Sequence, residues 1–171
     1  MLKAKIEAMI VDQMNFEFYS AYIYMSMAAY VDSIDLPGCA HWFKIQVQEE
    51  MAHALKMYNY LLSRGGRPYF SQVPAPKKDW ASVQEVFKDA LAHEMIVTDR
   101  INKLMTAAVE EHDHASRSFI NWYVDEQVEE EANLDVILKK FDLIKGSVEG
   151  LFMIDKDLAA RIFTMPLGVT I

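Results

Sequence analysis

Apolar residues recur at three- and four-residue intervals through four long stretches of this chain, the period of helices that bury one face. The first spans about 3–31, with an inward stripe of Ile6, Ile10, Gln13, Glu17, Ser20, Tyr24 and Met27. A turn over 32–38 follows, and Pro37 is placed to open the second helix, which runs to about 64 and stops at Gly65-Gly66. The second stripe holds Phe43, Gln46, Glu50, His53, Met57 and Tyr60. Ser82-Val83-Gln84-Glu85 is a capping box for a third helix, whose stripe reads Phe87, Ala90, Glu94, Val97, Ile101, Leu104 and Ala108. After the acidic, histidine-containing turn at 110–114, a fourth helix runs to about 145 with Ile120, Tyr123, Gln127, Glu130, Leu134, Ile137 and Phe141 on one face. Leu158, Ile162 and Phe163 predict a short fifth helix over about 155–163.

The stretch 66–79 carries Pro68, Pro74 and Pro76 and is predicted to be extended. Fourteen residues reach at most roughly 46–50 Å. The helix before them, about 27 residues, is roughly 40 Å long. The segment can therefore traverse a whole helix bundle, so that the second and third helices lie parallel. The expectation is a single all-α domain over 1–171. It comprises a four-helix bundle (about 3–145) with a long crossover between helices two and three, plus the short C-terminal helix.

The composition narrows the function classes. A hydrophobic fraction of 52% with mean hydropathy near zero fits a folded domain. A net charge of -8 and the lack of a basic patch exclude nucleic acid as an expected partner. No stretch approaches the roughly 20 apolar residues of a membrane span, and the N-terminus does not resemble a signal peptide. With Cys39 as the single cysteine, these features lead us to expect a cytoplasmic protein.

The middle of the bundle carries the chemistry. Glu17, Glu50 and His53 are matched, at a constant offset, by Glu94, Gln127 and Glu130; Glu50-x-x-His53 is echoed by Gln127-x-x-Glu130. Residues at i and i+3 share a helix face, so Glu50 and His53 can address one ion. Burying four unpaired carboxylates is not credible unless cations compensate them. A carboxylate set with one imidazole suits iron, manganese or zinc.

On these residues the chain resembles bacterial and archaeal non-haem ferritins over almost its whole length. The pieces that carry the resemblance are Glu17 with Tyr24, the run from Gln48 to His53, Glu94, and the run from Asp125 to Glu131. The resemblance implies one iron held by Glu17, Glu50 and His53, and a second held by bridging Glu50 with Glu94 and Glu130, with Gln127 close by. It implies a third iron at Glu49, Glu126 and Glu129, sharing Glu130, and a role for Tyr24 as a hydrogen-bonding, electron-supplying aromatic. Bacterioferritins and rubrerythrins carry Glu-x-x-His in the fourth helix where this chain has Gln127-x-x-Glu130. Ala52 stands where a bacterioferritin has its haem-ligating methionine, so no haem is expected.

The implied function is a ferroxidase that takes Fe(II) and dioxygen or hydrogen peroxide and stores ferric oxyhydroxide inside a homo-oligomeric cage of about twenty-four chains. Two other readings stay open at this level. One is a di-iron protein that mainly removes peroxide or oxygen, with little storage. The other is a non-enzymatic acidic helical interaction module. Outside the centre, Trp122 and Trp42 read as packing residues, Glu131 as a solvated charge, and His112 and His114 as exposed turn residues.

Overall fold

The structure is a computed structural model describing residues 2–166; Met1 and 167–171, included in the single-domain expectation, lie outside the described residues. Among the described residues five helices follow one another: α1 (Ala4–Ser33), α2 (Pro37–Ser63), α3 (Val83–Glu110), α4 (His114–Ile144) and α5 (Val148–Leu158). α1 packs chiefly on α2 and α3 chiefly on α4, giving two hairpins that close face to face. Each predicted stripe is the buried face of its helix, apart from Tyr60 at the fringe.

The helix ends are set by local chemistry. The Ser82 hydroxyl accepts from the Glu85 amide, and Glu85 Oε2 accepts in return from the Ala81 amide at 2.7 Å. α2 stops where Gly65 enters the left-handed region, with φ of 75°. Asp113 caps α4 through the Ser116 amide and also pairs with Arg64 at 3.1 Å, tying the α3–α4 turn to the end of α2.

The crossover lies along α1 as its length allows. Its contacts with α1 advance in step with the chain. Glu7 accepts from the Arg67 amide, Asn15 brackets Tyr69 and Ser71, Ser26 donates to the Lys77 carbonyl, and Tyr30 donates to the Trp80 carbonyl. The chain therefore passes from one end of the bundle to the other before α3 begins, and α2 and α3 run parallel.

The fifth helix differs from expectation. It begins at Val148, capped by the Ser147 hydroxyl on the Gly150 amide, and ends at Leu158; Ile162 lies beyond it and is exposed. Apolar residues surround this helix, so periodicity alone placed it too late in the chain. The helix has a seat in its own chain. Ile154, Asp155 and Leu158 are buried against α2 and α4, and Asp155 Oδ1 accepts from the Cys39 amide at 2.8 Å. Gly38 makes this approach possible, because a Cβ there would fall 1.7 Å from the Asp155 carbonyl oxygen.

The core is split in two. One cluster gathers Met27, Trp42, Phe43, Phe87, Leu134 and Phe141; the other gathers Ile6, Ile10, Met14, Met57, Ile101 and Ile120. Between them the four helices bury Glu17, Ser20, Gln46, Glu50, His53, His93, Glu94, Gln127 and Glu130. A polar layer this deep inside an apolar bundle needs compensation, and it is the natural place to look for a ligand.

Candidate metal centre

Glu17 on α1 and Glu50 and His53 on α2 bring one ligand atom each to within 4.8 Å of one another, and all three side chains are buried. The same limit groups His53 with Glu126 and Glu130 of α4. His53 Nδ1 lies 3.6 Å from Glu50 Oε2, while its Nε2 faces Glu126 Oε1 at 3.9 Å. Glu17 Oε2, Glu50 Oε2 and His53 Nε2 are sealed from solvent and make no hydrogen bond. Buried polar atoms are nearly always paired. Unpaired Glu17 Oε2 and Glu50 Oε2 beside the His53 ring, whose Nδ1 lies 3.6 Å from Glu50, leave room for a cation that accepts oxygen and imidazole donors.

The opposite half of the layer is better satisfied. Gln127 Nε2 donates to Glu94 Oε2 at 2.9 Å, and the Tyr24 hydroxyl donates to Glu94 Oε1. Gln46 Nε2 donates to Glu130 Oε2 at 3.0 Å. Thus Glu94 is held in position from both hairpins, and Glu130 from the opposite one. Burial pushes the Glu94 carboxyl up to about 8, reinforced by the neighbouring Glu130 and opposed by the Gln127 and Tyr24 hydrogen bonds. Burial also raises Glu50 well above the ordinary carboxylate range, with Glu94, Glu17 and Glu130 adding to it. Tyr24 is raised for the same reasons, burial first and then the carboxylates around it, so its phenol stays protonated and donating. Crowded carboxyls that resist ionisation hold protons that a bound cation would displace.

The accessory carboxylates are arranged differently from the expected trio. Glu49, Glu126 and Glu129 line one cavity of about 410 Å³, together with Trp122 and the segment after α5, but Glu126 alone of them joins a ligand-distance group. Glu129 is exposed, and Glu49 is ion-paired with Arg161 at 2.6 Å. Trp122 stands edge-on to His53 with ring centroids 5.4 Å apart, so it walls the centre as well as packing. Glu131 is not the free surface charge expected; it is half-buried and accepts from the Thr98 hydroxyl at 2.5 Å.

Several functional neighbours were not singled out from sequence. Gln13 Nε2 donates to Glu17 Oε1 at 2.8 Å, and its own Oε1 accepts from Arg100 Nε at 2.7 Å, with Asp12 holding the far side of the guanidinium. Gln13 and Gln46 precede Glu17 and Glu50 by one helical turn each, a repeat legible beside the carboxylate repeat. His93, buried and adjacent to Glu94, bonds Ser20 at 2.7 Å and is pushed down to about 4 by burial, helped by the Arg100 charge. It is a neutral packing partner of Phe16 and Tyr24, not a ligand in either group.

Four helices in two crossed-over hairpins, closed on a buried carboxylate–imidazole layer, define the ferritin-like class of bundle. A family model, the ferritin-like domain, matches residues 7–144. Among similar proteins are the bacterial non-heme ferritins of Staphylococcus haemolyticus, 41% identical over 89% of this chain and 92% of that protein, and of Staphylococcus aureus, 40% identical over 95% and 98%. Among solved structures, an open pore ferritin from the hyperthermophilic archaeon Archaeoglobus fulgidus superposes with a TM-score of 0.94 at 41% identity, covering 95% of this chain and all of that one. The chain belongs to the ferritin family.

Proposed function

We propose that this chain oxidises ferrous iron at a paired site and stores the ferric product inside a cage of its own copies, in the cytoplasm. The observation that carries the reading is the convergence of Glu17, Glu50 and His53 within 4.8 Å in the buried polar layer, with Glu17 Oε2 and Glu50 Oε2 left unpartnered. One ferrous ion would be taken by these three residues and the second by Glu94 and Glu130, with Glu50 between them.

Ionising Glu50 and Glu94 as the substrate ions arrive supplies the negative charge that favours the ferric product. Each ferrous ion gives up one electron; dioxygen, taking two electrons and two protons, leaves as hydrogen peroxide. Peroxide can serve in turn as the two-electron acceptor, and the ferric ions hydrolyse to oxyhydroxide. Tyr24 and Gln127 hold Glu94 in place throughout, and Gln46 and Gln13 do the same for Glu130 and Glu17. Glu126, placed between His53 and the cavity, would pass ions toward Glu49 and Glu129 as the accessory site.

Assembly is supported by the family and by the surface. Tyr22, Phe70, Met95, Ile96, Phe152 and Met153 are large apolar side chains left at least half exposed. The last two lie on the outer side of α5, which its own bundle does not cover. No described helix is long and apolar enough to cross a membrane.

The test is Glu50→Ala. The variant should fold, since an expensive buried acid is removed, and should lose the fast rise in ferric absorbance after stopped-flow mixing of ferrous iron with oxygen. Parental rates in the variant would refute the paired site.

A further inference from the structure

After α5 the chain turns back across the start of α2, and two contacts fix Arg161 there. Its carbonyl meets His41 Nε2 at 2.8 Å, and its guanidinium lies over the Trp42 ring, 4.5 Å from the centroid. His41 and Trp42 together aim the side chain into the cavity that Glu49, Glu126 and Glu129 line. Nη2 donates to Glu49 Oε2 at 2.6 Å, with only 19% of the Arg161 and 17% of the Glu49 side chain exposed. Nη1 is buried without a partner on the same guanidinium. The other wall of the cavity is Thr164, Met165 and Pro166, so the C-terminal segment both roofs the carboxylates and brings a cation to them.

A guanidinium cannot shed its charge in a protein. It therefore differs from every other group in this cavity: it repels an incoming metal ion and occupies one of the few ligands such an ion could use. We propose that Arg161 is the resident counter-ion of Glu49 in the accessory cavity, so that a third iron gains Glu49 only by displacing the guanidinium. This rests on the reading of Glu49, Glu126 and Glu129 as an accessory iron site. The consequence is an order of filling. The paired site, with its unpartnered Glu17 and Glu50 oxygens, fills first. The accessory carboxylates take iron only when the supply exceeds two ions per chain. Arg161 is thus a specificity-setting residue acting through Glu49, and Trp42 is the seat that positions it.

The experiment is anaerobic calorimetric titration of the full-length assembled protein with ferrous iron, comparing the parent with Arg161→Met, Arg161→Gln and Arg161→Lys. Methionine keeps the apolar stem over Trp42 and glutamine keeps polarity, so either neutral variant that assembles suffices. Crystals soaked with ferrous iron and measured at the iron absorption edge identify which sites fill. The third binding event should tighten about tenfold in the neutral variants, the scale expected for losing one half-buried charge partner. The first two events should be unchanged, and Arg161→Lys should stay near the parent. A third event of parental affinity in the neutral variants would overturn the inference, leaving Arg161 as a clasp for the C-terminal segment and the accessory site intact. Absence of a third metal at Glu49 in every protein would remove the accessory site and the inference together.

Discussion

Glu94 makes the metal-free bundle sensitive to alkali in a way that an ordinary protein is not. Its carboxyl is fully buried, and burial together with Glu130 raises it from the ordinary 4.5 to about 8 in the folded chain. A group whose folded pKa is raised contributes stability that is complete below its unfolded pKa and lost as pH rises through the folded one. Between pH 4.5 and about 8 the folded state therefore binds a proton that the unfolded state has released, and stability falls as pH climbs. One pKa unit corresponds to about 1.4 kcal/mol, so the full shift sets a ceiling of roughly 4–5 kcal/mol. Because Glu94 shares its field with Glu50, whose carboxyl burial also raises, the measured slope divides between the two, and the share of Glu94 will be below that ceiling. Denaturant unfolding of chelator-treated protein from pH 5 to 8.5, beside Glu94→Gln, reads it directly. The parent should lose stability across the window, while Glu94→Gln should show a flatter dependence and be the more stable of the two at pH 8. Ferrous iron should reverse the parent's slope, because binding expels the protons. Parallel slopes for parent and variant would show that Glu94 is not the source of the pH dependence.

Changing Glu49, Glu126 and Glu129 together to Ala should leave two-iron oxidation in place and alter the ratio of iron oxidised to oxygen consumed, measured with an oxygen electrode during stopped turnover; an unchanged ratio would leave these residues as cavity-wall charges. Gln46→Leu removes the donor to Glu130 Oε2 and should cost about 1–2 kcal/mol in denaturant unfolding of the metal-free protein, while slowing oxidation less than Glu50→Ala does. Sedimentation should give a closed particle of about twenty-four chains, and Phe152→Asp on the outer side of α5 should shift it toward smaller species; a stable parental monomer or dimer would contradict the cage.

Much of the bundle was legible because burial and helical period coincide. Every residue of the α1, α3 and α4 stripes is buried, and the reach of the proline-rich segment led to the parallel placement of α2 and α3. Helical spacing put Glu50 and His53 on one face, and the family resemblance added Glu17; the structure brings the three side chains together. The fifth helix was misplaced because Val148, Phe152 and Met153 point outward, making it apolar on both sides and blurring its period; the Ser147 cap was the better signal. Arg161 left no trace in sequence at all. It follows a helix end, in a stretch with no repeating pattern, and meets Glu49 across 112 residues of chain. Contacts made by a coil segment over that distance depend on the packing of α5, which Gly38 and Asp155 set.

In the proposed function the buried polar layer takes two ferrous ions at once. Crystals grown without metal, soaked anaerobically in ferrous iron and measured at the iron absorption edge, test it most directly. Two peaks per chain are predicted inside the bundle, one against Glu17, Glu50 and His53 and the other against Glu94 and Glu130, sharing Glu50. Peaks confined to exposed carboxylates, with the bundle centre empty, would contradict it.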